Sequence, residues 1–349
     1  MRPGADDGVM SIDFLAGFTI FMLALIVVVG MVPGLLAGLA SSGIDYDAVA
    51  YRTGVILVED PGWPVYPPWE MTDPAHKDDI QRIGLAVSKD TPNILLSTKV
   101  ERFFNESFFD TEDYRSKAIF GDIPYSYNFS LNISHPDGNY ELKQAGDPLP
   151  PGHGYIRRAV KIKEPGVAKI EYDQYTNSTL DDSTPRMFTI RLNFSHLLNQ
   201  TIGPAYRIDP RTEPVRVNIN MTGYLNPGTN ATLQSVTFWK MDTTRSNPGF
   251  TPIPFSYDVK DSDLYTLTLD GSSSDLLPDI PVKTNISFVL KPAATSLFTL
   301  DQNSILDIRF IFDDRPDPQR TTLNGTYLYD YDSVPPPPLK PGVLEVAIW

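Results

Sequence analysis

From Phe14 to Ile44, 31 consecutive residues carry no charge: FLAGFTIFMLALIVVVGMVPGLLAGLASSGI. A bilayer hydrocarbon core is spanned by about 20 apolar residues in a helix. This run crosses with residues to spare and divides the chain into a short N-terminal stretch and everything from Asp45 onward. A secretory signal has an apolar segment of only about 7–15 residues behind a basic flank. Here the flank holds Arg2 against Asp6 and Asp7. We therefore expect an anchoring helix in contact with membrane lipid.

Within the run, Asp13 stands at the start, either as an interfacial N-cap complementing the helix dipole or as a carboxylate awaiting a cation. Gly30, Gly34 and Gly38 recur every four residues. On a helix they form a strip where another helix can approach closely, although glycine is also simply frequent in membrane helices. Pro33 can kink the span. Beyond it, Ile44, Ala48, Tyr51, Val55 and Val58 follow a 4, 3, 4, 3 spacing, which predicts an a/d seam. Glu59-Asp60-Pro61-Gly62 is a stop signal. One continuous helix over about residues 11–59 is expected, half lipid-soluble and half amphipathic.

The stretch VMSIDFLAGFTIF at Val9–Phe21 resembles the N-terminus of archaeal type IV pilin-like proteins with class III signal peptides. That family has a short polar leader, a glycine before the cleavage point, an acid at the fifth mature position and a long hydrophobic helix. The resemblance implies a leader over residues 1–8, cleavage between Gly8 and Val9, and a spine over 9–60. It implies that Asp13 registers the subunit by meeting a neighbour's N-terminal amine. Family leaders usually place Lys or Arg before the glycine and Glu at the fifth position, where this chain has Asp7 and Asp13. The segments IGLAVSKDTPNILLSTKVERFF, DYRSKAIFG and YSYNFSLNIS also resemble one that recurs in archaeal pilin-like surface proteins.

The remaining chain reads as loop-rich β structure. With 29 basic and 43 acidic residues the net charge is −14, which repels phosphate backbones and excludes nucleic acid as a natural partner. There is no cysteine, so neither disulfides nor thiolate metal sites hold the fold, and a large apolar core must. Residues 61–75 are a Pro- and aromatic-rich connector with Trp63 and Trp69 exposed. Short helices are expected over His76–Ser88, after a Thr98/Glu101 capping box, and from an Asp110 cap to Gly121. From Tyr125 the apolar period shifts toward 2. Strands are expected at 125–134, 155–163, 167–174, 187–195, 214–224, 232–242, 263–269, 284–291, 306–313, 321–330 and 342–349. The fold class is thus α+β: a long N-terminal transmembrane spine helix followed by a mainly antiparallel β-sandwich ectodomain. Residues 61–200 form a membrane-proximal α+β region and 205–349 a β-sandwich region. Pro335–Pro338 is a stiff spacer before a last strand that either closes the chain's own sheet or is donated to another subunit.

Asn-x-Ser/Thr occurs at Asn105, Asn128, Asn132, Asn177, Asn193, Asn199, Asn220, Asn230, Asn285 and Asn324, which is 10 of the 16 asparagines. Chance gives roughly two or three, so we read N-glycosylation acceptors on an exported surface. His76, His135, His153 and His196 lie apart, with no HExxH, and no GxSxG, GxGxxG or P-loop occurs. No catalytic residue, cofactor or metal is expected. Asp181-Asp182 and Asp313-Asp314 read as solvated turns. The Asp261, Asp263, Asp270 and Asp275 cluster lacks EF-hand spacing and is a weak Ca²⁺ candidate. The expectation is a membrane-anchored extracellular structural protein, a pilin-like subunit pairing with copies of itself or with other pilin-like subunits through its helix. The alternatives are a non-polymerising single-pass surface binding protein and an ectoenzyme.

Overall fold

The computed structural model describes residues 12–40, 44–121, 123–171, 174–176, 186–226, 228–254, 264–272, 280–312 and 321–349. An apolar helix α1 (Ile12–Ala40) precedes a body built mainly of sheets that are largely antiparallel, an α+β arrangement. Helix α2 (Tyr46–Glu59) starts separately: Asp45 has non-helical backbone angles and accepts a hydrogen bond from the Ala48 amide at 3.0 Å. The expected single spine is therefore two helices, because Asp45 satisfies an orphan amide better as a cap than within a helix interior.

Next come β1 (Ile94–Leu96), α3 (Ser97–Phe103), α4 (Thr111–Tyr114), β2 (Tyr127–Ser134), β3 (Tyr140–Gly146) and β4 (Gly154–Lys163). They are followed by β5 (Val167–Ile170), β6 (Arg186–Asn193), α5 (Phe194–Leu197), β7 (Val215–Asn220), β8 (Ala231–Asp242), β9 (Thr251–Pro252) and β10 (Tyr265–Leu269). The rest are β11 (Ile280–Val282), β12 (Asn285–Leu290), α6 (Pro292–Leu297), β13 (Ser304–Phe312), β14 (Gly325–Tyr329) and β15 (Leu339–Ile348). Each of the eleven expected strands has a counterpart.

The first sheet has the order β1-β4-β15-β2-β3. Its inner residues Phe129, Leu131, Val160, Leu344 and Val346 join α2 and Trp69 in one core. The second sheet, β10-β12-β7-β5, and the third, β11-β8-β13-β6-β14, share another core from Ala168 to Val334. Strict alternation explains these strands: Val215, Val217 and Ile219 are fully buried while Asn218 and Asn220 are exposed. The cores thus divide differently from the 61–200 and 205–349 regions. The chain leaves the first core after Lys163, builds the second, and returns through Pro335–Pro338. Strand β15 pairs antiparallel with both β2 and β4 in the chain's own sheet.

Several local expectations change. Helix α2 buries Ala50, Thr53, Gly54, Leu57 and Val58, so of the predicted seam only Val58 is buried, and Tyr51 is 58% exposed. A Cβ on Gly54 would lie 2.9 Å from Ile156 Cγ2, so the small residues form the packing face and let β4 approach. Residues 80–88 are extended rather than helical, with the Ile83 amide bonded to Lys117 O and Leu85 to Leu57 O. Trp69 is fully buried and its indole donates to Pro61 O and Gly84 O, each at 3.1 Å; Trp63 stays exposed. Helix α3 begins at Ser97 after Leu96 without a side-chain cap, so Thr98 caps nothing. The Asp110 cap forms as expected, in a capping box with Asp113, but Phe120, at φ +54°, takes the left-handed position ahead of Gly121.

Candidate functional site

The apolar span Phe14–Val32 is 19 residues, none of them buried. At 1.5 Å per residue it is about 28 Å long, close to the thickness of a hydrocarbon core. Its side chains, Phe18, Ile20, Phe21, Leu23 and Ile26 among them, point outward with no protein cover. Such a surface belongs in lipid or against other helices. The one hydroxyl on the span is satisfied internally, Thr19 Oγ1 donating to Leu15 O at 2.7 Å. The helix continues through Pro33 to Ala40. Gly30 has open space around it, and Gly34 and Gly38 follow at the same spacing on the helix. Asp13 lies in the first turn; Gly8 and Val9 fall outside the described residues. Ile44, ahead of α2, and Ala48 and Tyr51 on α2 are exposed.

Of the sequon asparagines, Asn177 lies outside the described residues, and none of the other nine is buried. Four sit in Asx-turns: Asn220 Oδ1 accepts from the Thr222 amide at 3.1 Å, and in the other three the hydroxyl joins the amide. Asn105 Oδ1 accepts from the Ser107 amide and hydroxyl, Asn193 from those of Ser195, and Asn199 from those of Thr201, at 2.5–3.1 Å. Asn128 and Asn132 project from β2, Asn230 and Asn324 precede strands, and Asn220 and Asn285 occupy strand ends.

Where β4 meets the second core, a cleft of about 200 Å³ opens between Pro61, Tyr66, Lys89, Lys163, Arg211 and Glu213. Lys163 Nζ donates to Glu213 Oε1 at 2.7 Å and to Arg207 O, with both side chains almost fully buried. Burial pushes the Glu213 carboxyl upward, and the Lys163 charge and hydrogen bond oppose that. Glu213 Oε1 also accepts from the Asp209 amide, while Arg211 pairs bidentately with Asp209 and lies 5.4 Å from the Tyr66 ring centre. Nothing in the sequence marks this cluster: Lys163 looks like any charge at a strand end. The same is true of Glu70, buried with both carboxyl oxygens unbonded, and of Lys99, whose ammonium donates to Pro61 O and Ala86 O.

The candidate reactive groups do not converge. His76 pairs locally with Asp73, His135 lies 3.4 Å from Glu141, and His153 is 2.9 Å from Pro150 O. Asp270 uses its carboxylate on the amides of Lys283, Thr284 and Asn285, fixing a turn. The acids at 181–182, 261, 263, 275 and 313–314 fall outside the described residues. Among the described residues no three His, Asp or Glu side chains group as metal ligands. No family model matches the chain, and no curated protein or solved structure matches it.

Proposed function

We propose that this chain is a membrane-anchored extracellular structural protein, a pilin-like subunit of an archaeal surface filament. The observation that carries the reading is the 19-residue apolar span with no buried residue, placed in sequence ahead of α2, which docks on the first sheet. In this reading α1 buries in lipid before assembly and against neighbouring α1 helices after it, with the Gly30, Gly34 and Gly38 strip allowing close approach. Asp13 registers the subunits. The body is a glycoprotein ectodomain whose second and third sheets form a β-sandwich, and it performs no catalysis. The shared core of those two sheets supports the sandwich, and the nine unburied sequons support an exported location.

The test is the native mature N-terminus combined with negative-stain microscopy of the tagged protein. A chain beginning at Val9 and label along filaments is the expected result. Retained Met1 with label confined to the membrane sinks it. That outcome would favour a second reading, a non-polymerising single-pass surface protein, for which the Asp45-capped break between α1 and α2 speaks.

A further inference from the structure

Asn220 and Asn285 are two sequons far apart in sequence that the fold sets directly opposite each other on the antiparallel pair β7 and β12. Cross-strand partners have Cβ atoms about 4.5–5.5 Å apart. Both are exposed, and both line an open groove of about 620 Å³ whose floor is polar, built from Lys169, Glu171, Asn218 and Ser287. That volume lies within the ~300–1,000 Å³ typical of small-ligand sites. The register places Asn218 beside both Lys169 and Ser287, so donors and acceptors form a continuous row next to the asparagine pair.

The two carboxamides differ. Asn220 Nδ2 donates to Glu171 Oε2 at 2.9 Å and its Oδ1 accepts from the Thr222 amide at 3.1 Å. The Asn285 carboxamide has no hydrogen-bond partner among the described residues, although its backbone is held by Asp270, whose Oδ1 accepts from the Asn285 amide at 3.0 Å. One side chain is committed to the fold; its neighbour is presented on a fixed turn with its amide nitrogen free.

Resting on the exported-glycoprotein reading, we infer that Asn285 is the glycan acceptor of this pair, that its first sugars lie in the groove, and that Asn220 stays unmodified beneath them. The donor is a lipid-linked glycosyl phosphate. A bond forms from Asn285 Nδ2 to the anomeric carbon, the anomeric carbon–phosphate oxygen bond breaks with its electrons, the amide nitrogen loses one proton, and the lipid phosphate leaves. Two glycans one cross-strand spacing apart would compete for the same volume, which makes occupancy of the pair exclusive. The groove's hydroxyl, amide, ammonium and carboxylate groups suit the hydroxyls of a sugar.

Glycopeptide mass spectrometry of the native full-length protein tests this. Glycan on Asn285 exceeding that on Asn220 by about tenfold or more supports the assignment, as does glycan appearing on Asn220 in N285Q. Both sites filled on one molecule, Asn220 preferred, or Asn285 bare while Asn105 or Asn199 carries glycan each overturns it and leaves the exported-glycoprotein reading standing. Absence of glycan at every sequon overturns both.

Discussion

Lys163 and Glu213 bring two opposite charges out of water at the point where the two cores meet. Such a pair is worth little against a hydrophobic replacement, but removing one partner strands the other. Lys163→Met should therefore cost about 3–5 kcal/mol in urea unfolding, and the double variant with Glu213→Leu should recover most of it. A single variant within about 1 kcal/mol of wild type would show that the pair is not sealed from water. Glu70 behaves differently. Burial pushes its carboxyl above the ordinary value of 4.5, with Lys99 pulling the other way, and burial pushes Lys99 down. The folded chain then binds more protons here than the unfolded one between 4.5 and the raised value, so stability falls as pH rises through that window. Glu70→Gln, with both oxygens already unbonded, should raise Tm at pH 7 by on the order of 2–4 °C and leave it unchanged near pH 4. A loss of Tm at pH 7 would refute the upward push of burial on the Glu70 carboxyl.

At the scale of elements, legibility in the sequence tracks burial on one face. The β7 and β13 strands announce themselves because every second residue is apolar and fully buried. Strand β3 is invisible because it lies at the sheet edge and turns Tyr140 and Leu142 outward, inverting the pattern. The α2 face is misread because Thr53 and Gly54 pack where a seam search looks for large apolar side chains. Gly54→Val should push α2 off Ile156 and cost about 1–3 kcal/mol, measurable by thermal unfolding; an unchanged Tm would mean that the interface yields freely. Because no residue of Phe14–Val32 is buried and, among the described residues, neither core includes one from α1, residues 44–349 should partition to the soluble fraction and melt as the full chain does in detergent. A fragment that pellets or melts early would place α1 within the body's own packing.

For the molecule as a whole, the apolar N-terminal helix and the sheet-rich body could be read from the sequence, while the division into cores could not. Local alternation identifies β15 as a strand but says nothing of which sheet receives it. Nor does it show that Asn220 and Asn285 become neighbours, since register is a property of the assembled sheet. The net charge of −14 is legible and has a bearing on packing between copies. If subunits assemble through α1, their bodies repel one another, and detergent-free assembly should be favoured by raising ionic strength toward about 1 M, where the screening length falls to about 3 Å. Light scattering that falls with salt would contradict it.

The central strand of the first sheet comes from residues 339–348, and Ser130 on β2 bonds to Glu345 across 215 positions of sequence. During synthesis, the sheet on which α2 packs is therefore the part that must wait. Until the ribosome has delivered residues 339–348, β2 and β4 have an empty slot between them, whatever the second core has already achieved. A chain stopped at Val334 can complete the second core and still leave the first sheet open. Completion of the first sheet thus acts as a receipt that the whole of the intervening chain has been made.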